Sequence, residues 1–150
     1  MTRAFAIALK IPDNAAFTAL VALRRLGVDV ARIERSEIWE FENGEPVERL
    51  TARIESDESI FNPNLHRLSA LDRAAPRPGE AWIEPRARAS DAAADDKQLR
   101  AIAWRLFDKS GKPATNEVVL RAVERLLCNP AIERAVTGDE NDRDNPGARQ

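Results

Sequence analysis

One cysteine and one histidine are all that 150 residues offer to thiol and imidazole chemistry. A lone Cys128 excludes a disulfide framework and any multi-cysteine metal site. A lone His66 excludes His-Glu-x-x-His and other His-rich metal sites within one chain. Apolar runs are short, and none reaches the ~18 residues that a membrane-spanning helix needs. Gly-x-Gly-x-x-Gly is missing, and Gly111-Lys112-Pro113 lacks the upstream glycines of a phosphate loop, so it reads as a turn. Neither sign of charge dominates: 23 Lys and Arg stand against 25 Asp and Glu, a formal net charge of -2. That balance lacks the basic stripe of a nucleic-acid binder. The opening Met1 to Phe5 runs straight into a strand pattern without the order of a signal peptide. The expectation is a cytoplasmic protein with no membrane and no nucleic-acid partner.

What the chain does hold is core: 43% of residues are hydrophobic, enough for one domain or two small units sharing an interior. Phe5, Ile7, Leu9 and Ile11 alternate with Ala4, Ala6, Ala8 and Lys10, which predicts a strand ended by Pro12. Asp13 or Asn14 caps the next helix, whose apolar side is Phe17, Leu20, Val21, Leu23 and Leu26, with Gly27 just past its end. Val28 to Glu42 is β-rich, its alternation breaking near Ser36, so a bulge or a tight turn belongs there. After Asn43-Gly44, the spacing of Val47, Leu50, Thr51, Ile54 and Phe61 predicts a helix over 46–61 with Pro46 near its first position. Asn62-Pro63 turns the chain into a short strand from Leu65 to Ala70.

Residues 1–72 thus read β-α-β-α-β, and 73–80, with Pro76 and Pro78, is a link. A second unit over 81–137 opens with a strand Ala81 to Glu84 closed by Pro85. Ser90 or Asp91 offers a helix cap, and Leu99, Ile102, Ala103 and Leu106, widened by Trp104 and Phe107, predict a helix. Thr115 caps another helix carrying Val119, Val123, Leu126 and Leu127, and Ile132 to Thr137 is a strand. In this reading the second unit lacks the long middle strand. Residues 138–150 have the composition of a disordered tail. The corners Asn62-Pro63 and Asn129-Pro130 each follow an amphipathic helix and precede an alternating segment, which leaves a degenerate duplication and a coincidence both open.

No residue is assigned a catalytic, cofactor-binding or metal-binding role. His66 reads as a surface or interface residue and Cys128 as an inert packed thiol. Glu34, Glu37, Glu40 and Glu42, with Arg32 and Arg35 among them, read as a solvated face carrying cross-strand ion pairs. Trp39 and Phe41 share one side of the strand and read as packing under a helix or across a subunit seam.

The order of elements in the first 72 residues resembles PurS, the small subunit of bacterial formylglycinamide ribonucleotide amidotransferase (phosphoribosylformylglycinamidine synthase). Family members close their second helix with a Leu-Leu-Ala-Asn-Pro-Val-Ile-Glu-like run, matched here by Leu126-Leu127-Cys128-Asn129-Pro130-Ala131-Ile132-Glu133 in the second half. Two departures accompany the resemblance. Pro12-Asp13-Asn14-Ala15 stands where the family has Asp-Pro-x-Gly, and Ser36-Glu37 stands where it has glycine and lysine. The resemblance implies an α+β, ferredoxin-like two-layer sandwich in two degenerate repeats, with self-association or a pseudo-dimer seam. It also implies a non-catalytic bridge between a glutaminase and an ATP-dependent synthetase of purine biosynthesis, without a cofactor of its own. Arg32, Arg35, Glu37, Trp39 and Phe41 are the interface candidates, and Asn62, Pro63, Asn129 and Pro130 are structural corners. The alternative is a small-molecule-sensing α+β module with its ligand at the seam between units.

Overall fold

A computed structural model describes residues 2–42, 44–86 and 97–138. Its elements are β1 (Arg3–Leu9), α1 (Asn14–Arg25), β2 (Arg32–Phe41), α2 (Val47–Glu55), β3 (His66–Ala70), β4 (Glu80–Pro85), β5 (Lys97–Phe107), α3 (Asn116–Ala122) and β6 (Glu133–Thr137). A π-helical turn, Val123–Leu127, extends α3. The class is α+β: one antiparallel sheet in the order β3-β1-β2-β5-β4-β6, with helices packed on it.

Local chemistry sets the helix ends. The Asp13 carboxylate accepts from the N–H groups of Ala15 and Ala16 and so caps α1. Gly27, at φ 85°, takes the left-handed position that ends it. Thr115 caps α3 through Val118 N–H. Pro46 precedes α2 as its N-cap, one place before the first-turn position expected of it.

Alternation divides the sheet into two apolar faces. Phe5, Ile7, Ile33, Phe41, Ala81, Ile83 and Leu106 face the helices, where Leu23, Leu50, Ile54 and Val119 cover them. Ala4, Ala6, Ile38, Ala101 and Ala103 line the opposite face around Trp82, which is fully buried. No described helix covers that side. The chain from Leu71 to Gly79 connects β3 to β4 past three intervening strands and lies on it, with Pro76 buried and Pro78 accepting from Arg105 Nε. Gly79 ends this strap at φ 77°, where a Cβ would lie 2.8 Å from the Leu106 carbonyl oxygen. Only glycine fits there.

Four expectations need correction. Lys97–Phe107 is a strand, not a helix: Ala101 and Ala103 bury on one face while Leu106 buries on the other, and a strand apolar on both sides mimics a helical stripe. The second unit therefore has its long middle strand; what it does not show, among the described residues, is a counterpart of α1. The helix expected over 46–61 stops at Glu55, and Ile60 and Phe61 bury from the following turn. Val28 and Val30 bury from a loop, and β2 is continuous through Ser36; the irregularity falls between Ile38 and Trp39, where Arg100 of β5 is left without a partner in the register. The cap at Ser90 or Asp91, residue Asn43 and the tail beyond Gly138 lie outside the described residues.

The strand order has a two-fold form, third-first-second in one half and its mirror in the other. Register agrees: Phe5↔Ala70 to Leu9↔His66 in the first half corresponds to Ala81↔Thr137 to Pro85↔Glu133 in the second. The two Asn-Pro corners repeat one set of hydrogen bonds. The Asn62 carbonyl accepts from Leu65 and His66 N–H, and that of Asn129 from Ile132 and Glu133 N–H. Each asparagine side chain accepts from the N–H two residues on, at 2.9 and 3.1 Å. Asn62 N–H donates to His66 Nδ1 and Asn129 N–H to a Glu133 carboxylate oxygen, at 2.9 and 2.8 Å. Lys10 Nζ donates to the Pro63 carbonyl as Arg86 Nε does to that of Pro130, at 2.8 and 2.7 Å. Pro63 and Pro130 occupy corresponding places, down to which basic side chain holds each carbonyl.

Candidate functional site

The five interface candidates do not form one surface. Phe41 is 2% exposed and meets Phe5 edge-on at 5.7 Å, so it is core. Trp39 is half-buried on the helix side and donates from Nε1 to Glu37 at 3.1 Å, which ties those two together. Arg32 and Arg35 lie at the other end of β2. Arg32 pairs with Glu34 at 2.6 Å and stacks 3.9 Å from the centre of the Phe107 ring. Arg35 reaches Asp13 at 3.8 Å and lies 5.7 Å from the centre of the Trp104 ring. The solvated acidic face is seen in part: Glu34 pairs with Arg32, Glu40 with Arg100 at 3.5 Å, and Glu42 accepts from Thr2 Oγ1.

Arg32 and Arg35 belong to the wall of an open cavity of about 600 Å³ where β1 ends, α1 begins and β2 starts. Lys10 and Arg67 add two more cations to that wall, against Asp13 and Glu34 as its acids. Its apolar side includes Ile11 and Phe17, both large and exposed. The N-terminus of α1 is not free to bind an anion, because Asp13 already satisfies it. Sequence reading found Arg32 and Arg35 but not Arg67, which comes from β3 and joins the cavity only through the β1·β3 pairing.

The second half holds a buried ionic cluster on the face opposite the helices. Glu84 is fully buried between Arg134 of β6, whose Nε donates to it at 2.6 Å, and Arg100 of β5. Glu80, 1% exposed, takes Arg77 N–H, Arg77 side-chain and Trp82 Nε1 donors. With Trp82 flanked by two paired carboxylates, this cluster organises the core, and a cavity of about 290 Å³ lies beside its Arg77–Glu80 pair, lined also by Pro76, Gly79 and Asn116.

His66 accepts from the Asn62 backbone and packs against Phe61, so it serves the corner. Burial pushes the half-buried Cys128 thiol up, with the Glu133 carboxylate adding to the shift. Among the described residues, no group of three His, Cys, Asp or Glu side chains converges to hold a metal ion, and no helix is long and apolar enough to cross a membrane.

Among the described residues two ion pairs join the halves, Glu40 with Arg100 and Asp57 with Lys97, and the second is the shorter. Lys97 Nζ donates to Asp57 at 2.5 Å, and Ser59 donates to the same carboxylate from its hydroxyl and its N–H. The Lys97 bond foremost, then the Ser59 bonds, lower Asp57 from 3.8 to about 2. A carboxyl held lower in the folded state stabilises above its unfolded value and loses that contribution as pH falls through the folded one. Asp57→Asn is therefore expected to cost about 0.5–1 kcal/mol at neutral pH, the range for a partly exposed pair. In denaturant melts the gap from wild type should hold above about pH 5 and close towards pH 2. A gap that stays constant down to pH 2 would contradict this role.

Comparison with protein-family models finds no match to this chain, and comparison with curated proteins finds none.

Proposed function

We propose that this chain is a non-catalytic bridging subunit of the PurS kind, in which one polypeptide supplies two units. The observation that supports this best is the edge-to-edge joint of β2 and β5, from Arg32↔Phe107 to Phe41↔Lys97, between halves of matching strand order. A long main-chain ladder is a rigid way to hold two binding surfaces at fixed spacing. On this reading the protein works in the cytoplasm, in purine biosynthesis, between a glutaminase and an ATP-dependent synthetase. Glu37 is then the position that sets partner choice, since a reversed charge at an interface repels the old partner. The test is affinity capture at low salt with glutamine and nucleotide present. Recovery of both enzymes, tightened by Glu37→Lys, is the expected result; recovery of neither would remove the purine assignment.

The ligand-sensing reading is favoured by a different observation, the open basic cavity beside Arg32 and Arg35. That cavity belongs to the first half; a second, apolar one of about 500 Å³ lies at the seam between units, where α1 meets Trp104, Leu126 and Leu127.

A further inference from the structure

The two halves treat one strand position in opposite ways. Matching the registers sets Ala8 of β1 against Glu84 of β4: Ala8 lies across from Arg67, and Glu84 across from Arg134. The neighbours correspond too, since Lys10 and Arg86 follow these strands and hold the two proline carbonyls. In the second half the basic pair has a buried carboxylate between its members' strands: Glu84 takes Arg134, and Arg100 completes its charge balance. In the first half Arg67 is retained on one side of Ala8, Ser36 lies across from it on the β2 side, and the carboxylate is absent. Ala8 supplies only a methyl group, and the space around it is the cavity of about 600 Å³.

Charge in that cavity is left unbalanced. Arg32 has Glu34 at 2.6 Å, and Arg35 has Asp13 at a long 3.8 Å with its buried Nε unbonded. Lys10 meets a neutral carbonyl. Arg67 is held in the β1·β3 ladder by its backbone, and its side chain has no hydrogen bond or ion pair among the described residues. Four cations against two acids leave two positive charges in excess. Guanidinium groups bind carboxylates through parallel N–H donors, two charge-assisted bonds to one carboxyl group.

We propose that this cavity binds a small organic carboxylate, whose carboxyl group bonds Arg67 beside Ala8 in the place that the Glu84 carboxyl fills in the second half. Ile11 and Pro12, where the cavity turns round the end of β1 towards Phe17 of α1, receive its apolar body. The site shares the cavity with the ligand-sensing reading and rests on that reading, not on the bridging one. Failure of enzyme capture therefore leaves it standing, and failure of binding leaves the bridge standing.

The probe is hexanoate, titrated at constant ionic strength into isotope-labelled full-length protein, with inorganic phosphate as the comparison anion. Saturable shifts of the Ala8 and Arg67 amides and of the Arg67 Nε–H group are expected with hexanoate, and affinity at least tenfold weaker with phosphate. Arg67→Gln should weaken hexanoate by tenfold or more. Ala8→Glu should abolish its binding, because the new side chain supplies an internal carboxylate opposite Arg67. Arg67 is exposed, so Arg67→Gln keeps the test valid even where Ala8→Glu fails to fold. No saturable shift at tens of millimolar hexanoate, equal affinity for phosphate, or unchanged affinity in a folded variant would each overturn the proposal.

Discussion

Trp82→Ala is expected to cost about 3–5 kcal/mol, the range for deleting a large buried aromatic. The indole is fully buried, and the side chains around it are Ala4, Ala6, Ala101, Ala103 and Ile38. Alanines have no rotamers with which to collapse into the vacancy, which puts the loss at the upper end of that range. Two polar partners suffer as well. Glu80 loses the Nε1 donor at 3.2 Å, and Arg100, 5.8 Å from the ring centre, loses its aromatic neighbour. Against a total stability of about 5–15 kcal/mol for a domain of this size, such a loss brings the chain close to unfolding. Urea melts of wild type and variant measure it. A loss under about 1 kcal/mol would mean that this face of the sheet is not a packed core.

Glu84→Gln is the second large effect, expected at about 3 kcal/mol. The substitution keeps shape and removes charge, so Arg100 and Arg134 lose the carboxylate that neutralises them. Removing one member of a buried ion pair costs about 3–5 kcal/mol because the other member stays charged and poorly hydrated. Two features hold the value at the lower end. The Arg134 side chain is 54% exposed and can turn to water, while Arg100 keeps Glu40 at 3.5 Å. Arg134→Gln should cost about 1–3 kcal/mol, because the fully buried Glu84 then keeps Arg100 alone. A loss under about 1 kcal/mol for Glu84→Gln, read from the same melts, would show that its buried carboxylate carries no weight.

Elements marked by strict alternation, a cap or a turn dipeptide were legible from residue order. The β1 alternation, the Asp13 cap, the Gly27 stop and both Asn-Pro corners follow from local chemistry, and the structure has each of them. The strand β5 was not legible, because its identity depends on what lies on either side. Ala101 and Ala103 face Trp82 while Leu106 faces the helix layer, and good helix formers in series hide a strand covered on both faces. The resemblance between halves was hidden for a related reason. Register sets Phe5 against Ala81 and Ala6 against Trp82, so the bulky residue changes faces from one half to the other. Volume is conserved across the sheet while identity along the strand is not. Arg67 and Glu84 escaped notice because each gains its meaning from a neighbouring strand far away in sequence.

A crystal structure, with the strands and corners of residues 3–70 superposed on those of 80–137, tests the two-unit account most directly. It should place β1, β2 and β3 on β4, β5 and β6, with Pro63 on Pro130, and Lys10 and Arg86 each bonded to the corresponding proline carbonyl. A helix anywhere within Lys97–Phe107, or corners that fail to coincide when the strands are superposed, would contradict it.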